Sequence, residues 1–320
     1  MTAIRSTAVI AAALATAATA VVSLPAQAQD KVKFAYLKTT TMVPFFYAEQ
    51  KGYFKAEGLD LEMVPVQGGP AAAAAVASGS AQIGYAAPTP IVIARDQNQP
   101  YRFIFALQWE RTPDQLWGPM IASERSGIKS FKDVAGKTIL TGPPGGLCEL
   151  AWRDWLAKNN VAWSSVKVLT NPFPQHQAAL EVGNADAACT PDPFYSSIKG
   201  SKVKPVLLGM GYLAEEKRRY MIDGVFSTDT WIAANGKAIA AIKRAVARAT
   251  KDLNGDKAVV RKILVDEFKL PAAVADTMRL DYDPEPRLEL ADIVPVVEAL
   301  KRHGMIKATL KPADVVAESK

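Results

Sequence analysis

The stretch Pro44-Phe45-Phe46-Tyr47-Ala48-Glu49-Gln50-Lys51-Gly52-Tyr53-Phe54-Lys55-Ala56-Glu57-Gly58-Leu59-Asp60-Leu61-Glu62 decides the fold. Pro44 suits the first turn of a helix, where its missing N–H costs nothing. Gly52 lies where that helix must end, because glycine readily takes the left-handed conformation of a helix terminus. Residues 59–66 then alternate apolar and polar side chains, the pattern of a strand with one wetter face. Residues 32–37 read as a strand before the helix, so the stretch is a strand–helix–strand unit. Tyr53, Phe54 and Leu59 read as core on general burial habits. Downstream, Gly68-Gly69-Pro70 turns the chain into a helix over 71–78 that Gly79 closes.

The same alternation spreads outward. Short strands are predicted over 82–85, 101–108, 120–122, 137–140, 166–169, 187–189, 205–208 and 220–227. Helical segments over 90–96, 146–158 and 175–182 lie between them. From residue 233 the pattern is helical, over 233–253, 257–268, 272–278 and 287–303. Strands alternating with helices of this size imply βαβ units, right-handed crossovers and a mostly parallel sheet. No internal repeat is legible. At 320 residues, 49% of them hydrophobic, the chain can build one large α/β domain or two medium lobes.

The first 28 residues read as a secretory leader. Arg5 supplies the positive end, an apolar run follows, and Ala26-Gln27-Ala28 makes an A-x-A cleavage site. A mature protein outside the cytoplasm, in the periplasm, is expected. Loss of Arg5 takes the formal net charge from +6 to +5. The remaining positive charge is scattered, densest at Lys217-Arg218-Arg219, and reads as solvated surface. No nucleic-acid motif is present. Cys148 and Cys189 lie near predicted strand ends. An oxidising compartment permits a disulfide between them, and two buried thiols are the alternative.

The motifs between Pro44 and Gly84, with Gly68-Gly69 and Ala77-Ser78-Gly79-Ser80-Ala81-Gln82-Ile83-Gly84, resemble those of ABC-importer solute-binding proteins for sulfonates, taurine, nitrate and thiamine-precursor pyrimidines. Gln82 stands where that family usually has Asp, a position that orients a turn. More loosely, Gly127-Ile128-Lys129-Ser130-Phe131-Lys132-Asp133-Val134-Ala135-Gly136-Lys137 resembles the family's lead into its second lobe, and Gly183-Asn184-Ala185-Asp186-Ala187 its later G-x-x-D-A step. The resemblance implies a two-lobed periplasmic-binding-protein fold (type II) with the ligand in the cleft. Residues 29–108 plus 220–320 would form the first lobe and 119–209 the second, with crossings at 109–118 and 210–219. It implies a monomer without cofactor, hinge closure on a small molecule, and an ABC permease and ATPase complex at the inner membrane as partners.

In open α/β sheets ligands bind beyond the carboxyl ends of the strands, beside helix N-termini. That rule and the resemblance select the candidate ligand residues. Thr39, Thr40 and Thr41 offer hydroxyls, one of which should cap a helix. Gln67, Gly68, Gly69 and Thr89 lie on neighbouring loops, and the glycines admit close backbone approach. Trp109 and Trp117 sit in the first crossing and could stack a flat ligand. Arg111 could clamp an anion or pair with Asp114. Gly145, Gly146 and Leu147 end a Pro/Gly loop whose amides could take an anionic head group. Asp192, like nearby Glu149, would be costly beside an anion and would suit a ligand with N–H donors.

A small organic anion or zwitterion is the leading ligand expectation. Thiamine-precursor pyrimidines and aromatic acids are the alternatives. A sensor for a receptor kinase would share the same cleft. An enzyme is the remaining rival, with Cys148, His176 and Asp192 as an imaginable nucleophile set. No local signature supports it, and the chain has only two histidines.

Overall fold

A computed structural model describes residues 30–111, 113, 116–214, 216–278, 282–283 and 285–317. The leader expected over 1–28, and Asp114, lie outside the described residues. The deciding stretch folds as its pattern requires. β1 (Asp30–Tyr36) leads to α1 (Val43–Gln50), a single turn α2 (Tyr53–Ala56) and β2 (Leu59–Pro65). Then follow α3 (Gly69–Ala77), β3 (Ile83–Ala86), α4 (Pro88–Asp96) and β4 (Tyr101–Glu110). After a crossing, the chain forms β5 (Pro119–Ser123), β6 (Thr138–Leu140), α5 (Leu147–Lys158), β7 (Lys167–Leu169), α6 (His176–Val182), β8 (Ala187–Cys189), α7 (Phe194–Lys199) and β9 (Pro205–Met210). It crosses back into β10 (Tyr220–Thr228) and ends in α8 (Asp229–Ala234), α9 (Gly236–Gly255), α10 (Lys257–Asp266), α11 (Ala272–Ala275) and α12 (Leu290–Arg302).

Two five-stranded sheets result, in the orders β2-β1-β3-β10-β4 and β7-β6-β8-β5-β9. They are mixed, which corrects the expectation of a mostly parallel sheet. β1 pairs in parallel with β2 and β3, and β6 with β7 and β8. β10 runs antiparallel between β3 and β4, and β5 runs antiparallel between β8 and β9. Each antiparallel strand is the one that arrives across a crossing from the other sheet. It needs no helical crossover, which is what would have forced a parallel pairing.

The two orders are the same topology twice, a repeat the sequence reading missed. Its trace is small. Gln82 Oε1 accepts the Lys33 amide at 2.8 Å, and Asp186 Oδ2 accepts the Thr138 amide at 2.8 Å. Three residues before each lies a left-handed glycine, Gly79 (φ 74°) and Gly183 (φ 81°). Gln82 thus orients a turn, and the amide side chain does there what the carboxylate does in the second half.

The C-terminal pattern divides more finely than expected. The helix expected over 233–253 is two helices, broken at Asn235, the first capped by Thr228 Oγ1 on the Trp231 amide. The helix expected over 272–278 is only the short α11, and α12 starts at Leu290, where Glu289 and Asp292 form a capping box. α7 was not foreseen, since it is short and follows Pro191 and Pro193. α1, α2, α9 and α10 bury one face of the first sheet around Phe34, Phe45, Phe54 and Ile242. α3, α4 and α12 cover the other face, and that core runs on into the second half through Leu147, Leu150 and Trp152 of α5.

The crossings are tied by one carboxylate. Glu110, wholly buried, accepts the amides of Trp117 at 2.6 Å and Gly118 at 2.9 Å through Oε1. Its Oε2 accepts the Tyr212 amide at 2.8 Å and the Tyr220 hydroxyl. Burial raises its pKa even against these donors. A second tie joins the halves elsewhere. Asp154 of α5 accepts the Ala214 amide at 2.8 Å, Arg302 at 2.7 Å and His303 at 2.8 Å. Burial works against its charge, yet these donors hold its carboxyl below the usual range.

Cys148 and Cys189 form a disulfide between α5 and the end of β8, 41 residues apart, so the bridge and not the free-thiol alternative is realised. By loop-closure entropy such a bridge contributes about 4 kcal/mol. Replacing both cysteines by serine should lower the melting temperature accordingly, and an unchanged transition would refute that contribution. Glu110→Gln turns one acceptor into an N–H donor facing amide donors. We expect a loss of about 3 kcal/mol in urea unfolding; an unchanged midpoint would show that the carboxylate is not what ties the crossings.

Candidate functional site

The carboxyl ends of both sheets face a common cavity. The first half contributes Leu37, Thr39, Thr40, Thr41, Gly68, Gly69, Pro70, Tyr85, Ala86, Ala87, Pro90, Gln108, Ile222 and Asp223. The second contributes Pro143, Gly146, Leu147, Cys148, Phe173, Pro191 and Asp192. Trp117 and Tyr212 come from the two crossings. Nine predicted residues therefore meet here: Thr39, Thr40, Thr41, Gly68, Gly69, Trp117, Gly146, Leu147 and Asp192.

The other five do not line it. Gln67 is exposed before the turn that carries Gly68 inward. Thr89 is fully buried inside α4, while Ala87 and Pro90 beside it face the cavity. Trp109 is only 4% exposed and packs under the Arg219 guanidinium, 5.4 Å from its ring. Strand alternation explains that placement, because successive side chains point to opposite faces and Gln108 takes the cavity side. Arg111 lies exposed beyond β4. Gly145 donates its amide to Glu149 Oε2 at 3.0 Å, and the Gly146 amide goes to Pro143 O at 3.1 Å. The loop expected to cradle an anion thus already holds the carboxylate of its own helix at Gly145, and Arg153 pairs with that carboxylate at 2.8 Å.

Thr39 stands at the N-cap of a 3-10 turn over Thr40–Met42, but no hydroxyl of the triplet makes a capping bond. Instead Thr39 and Thr41 belong to a buried polar cluster. Thr39 Oγ1 lies 2.9 Å from Tyr85 Oη, which donates to Asp223 Oδ2 at 2.8 Å. Thr41 Oγ1 lies 2.9 Å from Gln108 Oε1 and 3.0 Å from Asp223 Oδ2. A hydroxyl has one proton, so Thr41 serves one of these acceptors at a time. Asp223 is 6% exposed. Burial raises its carboxyl to about 7, although Tyr85 and Thr41 donate to it. Tyr212, also buried, is pushed well above its ordinary value by desolvation and then by the charges of Glu110, Asp223 and Asp192. On the other wall, Asp192 Oδ1 caps α7 through the Ser196 amide at 2.9 Å. Among the described residues lining the cavity, none is Lys or Arg.

Sequence reasoning missed Tyr85, Gln108, Tyr212 and Asp223. For Asp223 a signal existed: it is the one charged residue in the otherwise apolar run Tyr220-Met221-Ile222-Asp223-Gly224-Val225-Phe226, and an isolated carboxylate in a buried strand needs a reason. The imagined nucleophile set is not assembled. Cys148 is in the disulfide. His176 is buried against Asn171 O at 3.1 Å, and burial holds its imidazole down to about 4. No group of metal-ligating side chains occurs among the described residues, nor does any helix among them have the length and apolarity to cross a membrane.

The architecture is shared with solved structures. The alkanesulfonate-binding protein of Xanthomonas axonopodis pv. citri, bound to MOPS, superposes with a TM-score of 0.77 at 19% identity, covering 90% of this chain and 98% of that one. The nitrate-binding protein NrtA of Synechocystis PCC 6803 gives 0.69 at 15% identity, covering 87% and 83%. A Candida albicans protein described as having the generic periplasmic binding protein fold gives 0.70 at 17%, covering 91% and 97%. No curated protein sequence is significantly similar to the chain. The family model described as NMT1/THI5 like matches residues 39–256, well over half of the chain. The chain therefore belongs to the NMT1/THI5 like family and has the periplasmic-binding-protein fold of ABC-importer solute-binding proteins.

Proposed function

We propose that this protein is the extracytoplasmic solute-binding component of an ABC importer, and that it captures one small molecule by closing its two halves over the cavity. The observation that carries this reading is contact across the cleft. A Cβ placed on Gly68 would meet Pro143 Cγ of the opposite half at 2.9 Å, and one on Gly145 would meet Ile93 Cδ1 at 3.4 Å. Gly68 has φ 137°, a conformation essentially confined to glycine. The two halves thus touch edge to edge around a cavity whose walls come from both. Hinge closure of this kind sequesters a ligand.

The wall chemistry refines the ligand. Trp117, Phe173 and Tyr212 offer flat apolar faces. The lining has carboxylates and hydroxyls but no described cation, which disfavours nitrate and simple sulfonates as sole cargo. An amino-substituted heterocycle of the thiamine-precursor kind, or a zwitterion, fits better. Delivery to a permease and ATPase complex, and export by the leader at residues 1–28, complete the proposal.

A thermal-shift panel of sulfonates, nitrate, aromatic carboxylates, zwitterions and pyrimidines would identify a ligand, since one that binds only the folded state raises the melting temperature. With that ligand, solution scattering should show the wild-type radius of gyration shrinking. Gly68→Val should abolish the shrinkage and weaken binding at least about tenfold, roughly 1.4 kcal/mol, while remaining folded. An identical scattering profile with and without saturating ligand in the wild type would rule out closure.

A further inference from the structure

Asp223 contrasts with every other buried carboxylate that ties this fold. Glu110 has donors on both oxygens. Asp154 likewise has donors on both. Asp223 has them on one. Oδ2 faces the Tyr85 and Thr41 hydroxyls, while Oδ1 is buried with no hydrogen-bond partner among the described residues. A carboxylate oxygen left bare in a low-dielectric site is costly. Asp223 also lines the cavity.

The cluster fixes which way Asp223 can read. Thr39 can donate to Tyr85, and Tyr85 donates to Oδ2, so the hydroxyl chain runs toward the carboxylate and steadies it. Thr41, on the same loop as Thr39, joins at Oδ2 and at Gln108. The titratable groups that share its surroundings are Tyr85 on β3, Tyr212 on the second crossing and Asp192 on the loop after β8. None of these supplies a positive charge. Among the described residues nothing supplies Oδ1 of the ionised carboxyl with a donor, and a ligand that carries one would complete it.

We propose that Asp223 is the specificity-determining residue of the cleft: its Oδ1 accepts an N–H from an amino-substituted or amidinium-like group of the ligand, and it rejects ligands whose polar end carries acceptors alone. The inference rests on the solute-capture reading above and names its ligand chemistry. It also gives binding a pH sign. Asp223 titrates near 7 in the ligand-free protein because of burial. Below that pH the carboxyl carries a proton and its charge is lost; above it the ionised form accepts a cationic N–H at full strength. Capture of a permanently charged donor therefore weakens as pH falls through 7.

Matched probes test this. Benzamidine and 4-aminopyrimidine present N–H donors on a flat ring, whereas benzenesulfonate and nitrate present only acceptors. Binding is measured by titration calorimetry on the full mature protein, with wild type, Asp223→Asn and Asp223→Ala. The donor probes should bind the wild type and lose at least tenfold in Asp223→Asn, whose amide offers a second donor where an acceptor is needed. Asp223→Ala should lose the same preference, which guards against a folding defect in one variant. Benzamidine stays an amidinium throughout, so its wild-type affinity should fall between pH 8 and pH 5, and that slope should vanish in Asp223→Asn. Benzenesulfonate or nitrate binding the wild type better than the donor probes, or donor affinity unchanged in both variants, overturns the assignment and leaves solute capture standing. Silence from the donor probes overturns the assignment, and silence from the whole thermal-shift panel as well overturns solute capture with it.

Discussion

Everything in this fold depends on how the two crossings are held, and they are held by the carboxylate of Glu110. It gathers Trp117 and Gly118 of the outgoing segment, Tyr212 of the returning one and Tyr220 at the start of β10. Three backbone amides of an irregular segment would otherwise be buried without strand partners. One ionisable side chain replaces the missing ladder. The crossing is therefore defined by hydrogen bonds that a rotation of the halves need not break, because all four donors and the acceptor lie on the crossings themselves or on the two strands that border them. Close packing completes it: a Cβ on Gly118 would meet the Tyr212 ring at 2.8 Å, so only glycine lets that ring lie where it also lines the cavity.

The same chemistry is used twice with opposite completeness. Glu110 and Asp223 are both buried, and burial raises both carboxyls. Glu110 is surrounded by donors and serves the scaffold. Asp223, three residues beyond Tyr220 on the same strand, is served on one oxygen only by the described residues. A scaffold carboxylate gains nothing from an open lone pair, whereas a recognition carboxylate requires one. The difference in satisfaction, more than the similarity in burial, separates the structural residue from the proposed recognising one.

Much of this was legible from local chemistry. The Pro44–Gly52 helix, the following strand and the Gly68-Gly69 turn were fixed by residue types whose backbone preferences are strong. The Thr39–Thr41, Gly68-Gly69, Trp117, Gly146-Leu147 and Asp192 positions followed from the rule that cavities form beyond strand ends. What stayed illegible was non-local. Nothing near Trp109 says which of it and Gln108 faces the cavity; the register of β4 against β10 decides that. The repeat hid because its two copies share a topology but only a Gly-x-Ala-Gln/Asp turn in sequence. The mixed sheets could not be foreseen, because β5 and β10 look like any other strand until the chain is seen to cross.

The repeated topology also has a functional side. Equivalent strand ends face each other, yet the two walls differ in chemistry. The first half brings Thr39, Thr41, Tyr85, Gln108 and Asp223, a connected polar cluster. The second brings Pro143, Leu147, Phe173 and Pro191, side chains that cover and exclude water; its one carboxylate, Asp192, already caps α7. On the capture reading, a ligand would orient first on the polar wall, where directional bonds are available without any movement. The apolar wall would then close over it, and exclusion of water would strengthen each of those bonds. Two halves of the same topology thus need not bind symmetrically: one can serve recognition and the other enclosure, while Glu110 ties the crossings between them.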